Sequence, residues 1–345
     1  MRGAEVARGP ASRGQASATL FAALREQYGI RAGDGARDLG GSSNLNLLLP
    51  DAHHRYVVRV YRPWVTAARL ADMQLVRQHL AHGGVPCAQP IATRTGATWI
   101  AVEDRLVEVE PYVAHDAKMD AWERLELGLP WLGRIHTLLR ALVVSADGRR
   151  APAANHIAPQ DALSGTLRGT RCIRHWDASP AELQLAAAAE ELARLVDQAE
   201  RRGAALPRQL VHGDYWDNNV LFCAGQVVLV TDFDFMGERT RIDDLALTLY
   251  YTNSTFADDQ TSEQRIHHLR TLVDRYDGGL EEPLTRAERA ALPLALARTP
   301  LCFIAMIPEV DSAAGAHRLA AEMGPDLAWA RAILRDLDRW QAAFA

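Results

Sequence analysis

LVHGDYWDNNVLFCAGQVVLVTDFDF, residues 210–235, decides how this chain is read. Leu210 and Val211 form a short apolar entry into His212-Gly213-Asp214, and Asn219 follows five residues after Asp214. Two β-type runs, 220–222 and 227–230, flank the connection Cys223-Ala224-Gly225-Gln226. Apolar runs on either side of a Gly-containing connection signal a hairpin. The second run ends on Asp232 and Asp234, so the hairpin returns two carboxylates toward the loop holding Asp214 and Asn219. A lone His-Gly-Asp is ordinary turn chemistry. Its combination with Asn219, the hairpin, Asp232 and the later Asp244-Leu245-Ala246 lifts the stretch above that reading.

Phosphoryl transfer needs this inventory, because the protein's work there is to position groups and neutralise charge. One carboxylate accepts the proton of the attacking hydroxyl, and hard oxygen ligands hold Mg²⁺. Asp214 suits the first role; Asn219 and Asp232 suit the second, with Asp234 as a ligand to a second ion. The pattern resembles the catalytic and metal-binding loops of aminoglycoside phosphotransferases and choline kinases, a variant of the protein-kinase-like fold, whose loop reads H-G-D-x-x-x-x-N. The resemblance implies a bilobal α+β fold. Its small N-lobe, an antiparallel sheet plus helix, would span 17–110, and its larger, mainly helical C-lobe 111–345. It also implies ATP and Mg²⁺ as cofactors and a hydroxyl on a small molecule as acceptor. An aminoglycoside-like or other natural product is the first expectation. The alternatives are a metabolite such as homoserine, choline or a sugar, or a nucleotide-binding pseudokinase with a regulatory role.

Composition is compatible with that class. The chain has 345 residues, 48% hydrophobic and 23% charged, which is ordinary for a globular protein with room for two lobes. A net charge of -5 argues against a nucleic-acid partner. No run is read as approaching a membrane span. Cys87, Cys172, Cys223 and Cys302 are far apart and form no C-x-x-C pair, so the cysteines point to a reducing, cytoplasmic setting. Residues 1–16 lack an apolar segment and read as a disordered tail. Oligomeric state is not legible.

Upstream, Leu20, Phe21, Leu24 and Tyr28 share one face of a helix over 17–28 that Gly29 stops. Gly40, Gly41, Ser42, Ser43 and Asn44 lie between two possible strands, where the resemblance places the turn that covers the nucleotide phosphates. The β-branched and aromatic run 55–61 is a strand. Arg59 stands where the family carries a Lys, keeping the charge but presenting a planar fork. The helix over 66–82 offers no Glu to pair with it, and Asp72 and Gln74 are the nearest candidates. The sequence continues with a strand-like segment over 85–91 and a hairpin over 98–109. Around Glu110-Pro111-Tyr112 the pattern breaks; there the resemblance implies a hinge, with adenine bonded to backbone groups of Val109, Glu110 and Tyr112.

A long helix over 122–141 carries His136, read as a satisfied core residue. Residues 145–176 read as irregular, and 180–202 as a helix. Asp244 is implied to be a structural brace under the catalytic loop. Helices are expected near 262–277, 286–307 and 326–343. Asp258, Asp259, Glu309 and Asp311 form either an acidic wall for an ammonium substrate or solvated loop ends. Asp232-Phe233-Asp234 in place of D-F-G, with no activation segment, fits a small-molecule kinase better than a protein kinase.

Overall fold

The computed structural model describes residues 13–31, 35–41, 44–50, 54–152, 155–256, 260–310 and 312–345. Helix α1 (Ala18–Gln27) starts where Ser17 Oγ accepts from the Leu20 amide at 3.1 Å. It stops at Gly29, whose φ of +78° is the left-handed conformation that favours glycine. Strands β1 (Arg37–Asp38), β2 (Leu45–Pro50), β3 (Arg55–Val60), β4 (Ile100–Val102) and β5 (Arg105–Pro111) make one antiparallel sheet in the order β1-β2-β3-β5-β4. Leu20 and Leu24 of α1 pack with Leu47, Leu49, Val58 and Val107 of this sheet into a small separate core.

Helix α2 (Ala67–His82), capped by Thr66, belongs to the other core. Its Leu70, Met73, Val76 and Leu80 pack in the same cluster as Leu129 and Leu132 of α3 (Trp122–Leu139), so it ties the N-lobe to the C-lobe. Strand β6 (Ala117–Met119) precedes α3. After α3 come the short α4 (Ala146–Arg149), α5 (Pro159–His175) and α6 (Pro180–Glu200). Strands β7 (Arg208–Val211), β8 (Asp217–Cys223), β9 (Gln226–Val230) and β10 (Gly237–Thr240) follow, with β8–β9 as the expected hairpin. They form two small sheets, β6-β8-β9 and β10-β7. The chain then runs through α7 (Arg241–Phe256), α8 (Ser262–Asp277), α9 (Arg286–Met306), α10 (Ala313–Glu322), α11 (Gly324–Arg335) and α12 (Leu337–Phe344).

Four expectations change. The stretch read as irregular contains α5, a helix of 17 residues. Its Gly and Thr positions weaken a helical reading but are what let it approach α9: a Cβ on Gly169 would lie 1.9 Å from the Ile304 carbonyl oxygen. Residues 85–91 form no strand; Ile91 N–H donates to Val109 O at 2.7 Å and Pro86 O accepts from the Val230 amide at 2.7 Å. The apolar run in 286–309 does reach membrane-spanning length, yet 72% of its most apolar window is buried, as the central helix of a C-lobe core would be. Arg13, placed in the tail, grips Asp38 through both guanidinium nitrogens (2.8 and 2.5 Å) and donates to Asn44 O; residues 1–12 lie outside the described part.

Candidate active site

Strand β7 delivers His212, Gly213 and Asp214 to the end of the small sheets. Gly213 has φ +83°, and a Cβ there would meet Phe235 O at 2.0 Å, so the loop closes only with glycine. Asp244, in the first turn of α7, accepts from the backbone amides of His212 (3.1 Å) and Gly213 (2.9 Å) and faces a His136 ring nitrogen at 3.0 Å. Burial opposes the Asp244 charge, but the His136 bond and the nearby histidines and Arg239 hold its pKa below the usual carboxylate range. The other His136 nitrogen meets Tyr276 Oη at 2.7 Å, so His136 and Asp244 brace the loop from beneath. His212 accepts from the Asp214 amide at Nδ1 (3.2 Å), which leaves Nε2–H to donate to Thr231 O (3.0 Å). Burial pushes its pKa down and favours this neutral form.

Asp214 is held from two sides. Asn219 Nδ2 donates to its Oδ2 at 3.1 Å and to its backbone carbonyl at 2.8 Å, and Asn155 Nδ2 donates to Oδ1 at 3.0 Å. Burial, followed by the Asp232 charge, raises the Asp214 pKa to about 7. That is the range in which a carboxylate works as a proton acceptor near neutral pH. Asn155 was not singled out in the sequence. It lies in the irregular segment, at φ +63°, 59 residues before its partner, and no local pattern marks it.

After β9 the chain turns at Asp232, which takes the left-handed conformation (φ +66°, ψ +63°), an uncommon one for a residue with a Cβ and one that clusters at functional sites. Asp234 follows in a 3-10 turn and is fully buried. Asp234 Oδ2 accepts from Asn44 Nδ2 at 2.6 Å, whereas the Oδ1 atoms of Asp232 and Asp234 are buried without hydrogen-bond partners. Burial and the adjoining Asp232 carboxylate raise the Asp234 pKa. Orphaned buried carboxylate oxygens of this kind fit a hard divalent cation. Asn219, its Nδ2 committed to Asp214, has its amide oxygen to add. Among the described residues no set of three His, Cys, Asp or Glu converges on a metal position.

Arg59 is 5% exposed. Its Nη1 lies 3.5 Å from Asp232 Oδ2 and its Nη2 donates to Thr231 Oγ1 at 3.0 Å. Burial works against its charge, yet Asp232 and Glu110 outweigh that and raise its pKa. The helix acid considered for Arg59 is engaged elsewhere: Asp72 binds the Ser145 amide and hydroxyl. Gln74 donates to Glu108, and α2 presents Arg77, buried between Glu108 and Glu110 of β5. Gly40 and Gly41 have φ of +85° and +103°, and Gly40 has open space where a Cβ would be. Ser42 and Ser43 lie outside the described residues. Asn44, expected at the phosphate turn, is 1% exposed and turns inward to Asp234, its Oδ1 accepting from the Arg62 amide.

The expected hinge contacts also shift. Val109 O accepts from Ile91 N, and Tyr112 N donates to Arg55 O at 2.9 Å, so both groups are already spent. Glu110 lies between them in the β3–β5 ladder with its side chain on Arg77. The alternation of the ladder turns Pro111 C=O to the opposite edge. Arg69 of α2 holds four carbonyls: Asp147 and Arg150 through Nη1, Asp234 and Met236 through Nη2. The N-lobe helix is thereby fastened directly to the turn that carries Asp232 and Asp234.

A cleft of about 760 Å³ opens beside the catalytic loop. Pro152 and His156 line it, and Asn155 between them reaches Asp214. Arg239 bridges the same two segments, donating to Pro152 O at 3.1 Å and lying 3.5 Å from Gly213 O. Glu309 lines the cleft; the other acidic-wall candidates, Asp258, Asp259 and Asp311, lie outside the described residues.

Comparison with known proteins places the chain by family and fold. Homoserine kinase of Gluconobacter oxydans (strain 621H) is 28% identical over 255 residues, 73% of this chain and 75% of the relative. Homoserine kinase of Caulobacter sp. (strain K31) is 29% identical over 265 residues, 74% of each. Among solved structures, a microcompartment-associated aminopropanol kinase superposes with a TM-score of 0.69 at 19% identity, covering 92% of this chain and 97% of that one. Amicoumacin kinase hAmiN, in complex with AMP-PNP, Ca²⁺ and Ami, gives 0.67 at 15% identity over 92% of both chains. These structures share the bilobal kinase-like fold. The model of the phosphotransferase enzyme family matches residues 34–281, and with the relatives it identifies the chain as a member of that family and a small-molecule kinase.

Proposed function

We propose that the protein transfers the γ-phosphoryl group of ATP to a hydroxyl of a small molecule seated in the cleft beside Asp214. The observation that carries the reading is Asp214 itself: half-buried, its pKa raised to about 7, and held by two carboxamides next to the orphaned oxygens of Asp232 and Asp234. Asp214 accepts the proton as the acceptor hydroxyl attacks, and Asn155 and Asn219 fix the orientation of its carboxylate. Asn219, Asp232 and Asp234 would hold Mg²⁺, and Arg59 would meet the phosphates beneath Gly40 and Gly41. Pro111 C=O is the hinge group that would meet adenine. When bound, the nucleotide supplies the phosphoryl group and the cation neutralises its charge.

Between acceptor classes, the relatives named homoserine kinase favour a small metabolite over an aminoglycoside. The convergence of Asp214, Asn219 and Asp232 favours turnover over a purely regulatory role. The test is ADP release with Mg²⁺-ATP against a panel of amino-acid, choline, sugar and aminoglycoside acceptors, with Asp214→Ala as control. An acceptor that stimulates the wild type but not the variant supports the reading. Equal rates in both would remove Asp214 as the proton acceptor.

A further inference from the structure

The charges of the acceptor cleft bear on what it takes, an inference that rests on the phosphotransferase reading and narrows its substrate. Arg149 and Arg150 line the cleft from the end of α4, Arg168 from the middle of α5 and Arg208 from the start of β7. Two of these cations hold only loose ion pairs, and two hold none among the described residues. Arg150 Nη2 is 3.7 Å from Asp147, and Arg149 Nε is 3.9 Å from Glu238, both beyond hydrogen-bond length. Arg208 directs Nη2 to the backbone carbonyl of Glu238 at 2.6 Å, not to a carboxylate. Arg168 makes no hydrogen bond or ion pair with another described residue.

More positive charge lies behind the cleft wall. Arg239 is 1% exposed, and its Nε is buried without a partner. His156, on the lining, is kept neutral by burial and by Arg239, Arg298 and Arg208 around it. The acids of the lining, Asp161, Glu238 and Glu309, are fewer than its four arginines. Asp161 in the first turn of α5 and Glu309 at the far end of α9 are separate from the arginine pair at the end of α4. A ligand carrying both signs can therefore meet each, whereas a polycation meets Arg168, which has no ion pair among the described residues, and Arg150, whose pair with Asp147 is loose.

We propose that the cleft binds hydroxyl compounds that also carry an anionic oxygen group, a carboxylate or a phosphate ester, on Arg150 and Arg168. It thereby discriminates against neutral and polycationic acceptors. Guanidinium suits this task, since its fork matches either group in a bidentate geometry.

The experiment measures binding and turnover separately, with matched probes. The pairs are L-homoserine and its carboxamide, 4-hydroxybutyrate and its carboxamide, and glycerol 3-phosphate and glycerol. Each is titrated calorimetrically into the full chain with Mg²⁺ and a non-hydrolysable ATP analogue. The expected result is that at least one anion binds and its uncharged counterpart binds about 10- to 100-fold more weakly, as losing a charge-assisted hydrogen bond does. An Arg150→Glu/Arg168→Glu double variant should lose that preference while keeping its melting temperature and its nucleotide-induced thermal shift. Preference within the first two pairs identifies a carboxylate, and within the third a phosphate ester. Equal affinity within every pair, no binding by any of the anions, or a preference that survives the double variant, overturns the proposal. Failure of the phosphotransferase reading looks different: ATP is not consumed with any acceptor, whatever the charge preference in binding.

Discussion

Asn155 Nδ2 donates to Asp214 Oδ1 at 3.0 Å from a segment that also lines the large cleft. A donor to the carboxylate favours its charged form and fixes its direction. Asn155→Ala should therefore move the acid limb of the pH–kcat profile upward and lower kcat at pH 7 by about 10-fold, well short of the 10²–10⁴-fold expected of losing the acceptor group itself. Steady-state kinetics across pH 5.5–9 separate the two, and an unmoved acid limb would exclude the positioning role.

The raised Asp214 pKa has a definite sign. The carboxyl must be ionised to take a proton, so activity should rise with pH through about 7 and fall away below it. An ordinary exposed Asp would give a limb near 4. Profiles of kcat/KM with a saturating cation distinguish the two.

Stability runs the other way. Asp214 and Asp234 have folded-state pKa values raised above their unfolded ones. Their contribution is full below the unfolded value, about 4, and is lost as pH rises through about 7. A cation bound to Asn219, Asp232 and Asp234 should reverse this, because it competes with those protons. Mg²⁺ should raise the melting temperature more at pH 8 than at pH 6, and Asp232→Asn should abolish the difference. Differential scanning calorimetry at the two pH values, with and without chelator, is the measurement.

Arg69 is 1% exposed and bonds four carbonyls across the lobes. Arg69→Ala leaves those acceptors unpaired in a buried setting, which costs about 3 kcal/mol or more. It should lower the urea midpoint and weaken Mg²⁺-dependent nucleotide binding together, since two of the carbonyls, those of Asp234 and Met236, belong to the turn proposed to hold the cation. A variant that loses stability but keeps Mg²⁺-nucleotide affinity would separate the staple from the site.

Gly169→Ala tests the packing of α5 on α9. The added Cβ would sit 1.9 Å from Ile304 O, against backbone that cannot yield cheaply. Overpacking of this kind costs about 1–3 kcal/mol. Ala at exposed Gly203, whose nearest neighbour lies at 3.2 Å, should cost far less in the same denaturation assay.

The contrast between Asp214 and Asn155 shows what could be read along the chain. His212, Gly213, Asp214, Asn219, Asp232 and Asp234 are local: they lie within one hairpin's length, so their spacing alone brings them together. The strong helices 18–27, 67–82 and 180–200 carry their own caps and apolar faces and were legible for the same reason. Helix α5 was not, because its glycines and threonines follow from the neighbour it packs on. Asn155 and Arg69 were not legible as site-builders, and Asn44, read as part of the phosphate turn, was not legible as the partner of Asp234, since each acts on a partner far along the chain.

The reaction class therefore resides in sequence. A short loop and a hairpin impose their own geometry, and phosphoryl transfer needs only that one cluster of oxygens. Tertiary structure alone decides the rest. Folding pairs Arg59 with Asp232 and turns Asn44 to Asp234. It also commits Val109 and Tyr112 to the sheet and gathers four scattered arginines around one cleft. These are long-range contacts, selected by burial and by the need to satisfy every polar group taken from water, and no periodicity along the chain encodes them.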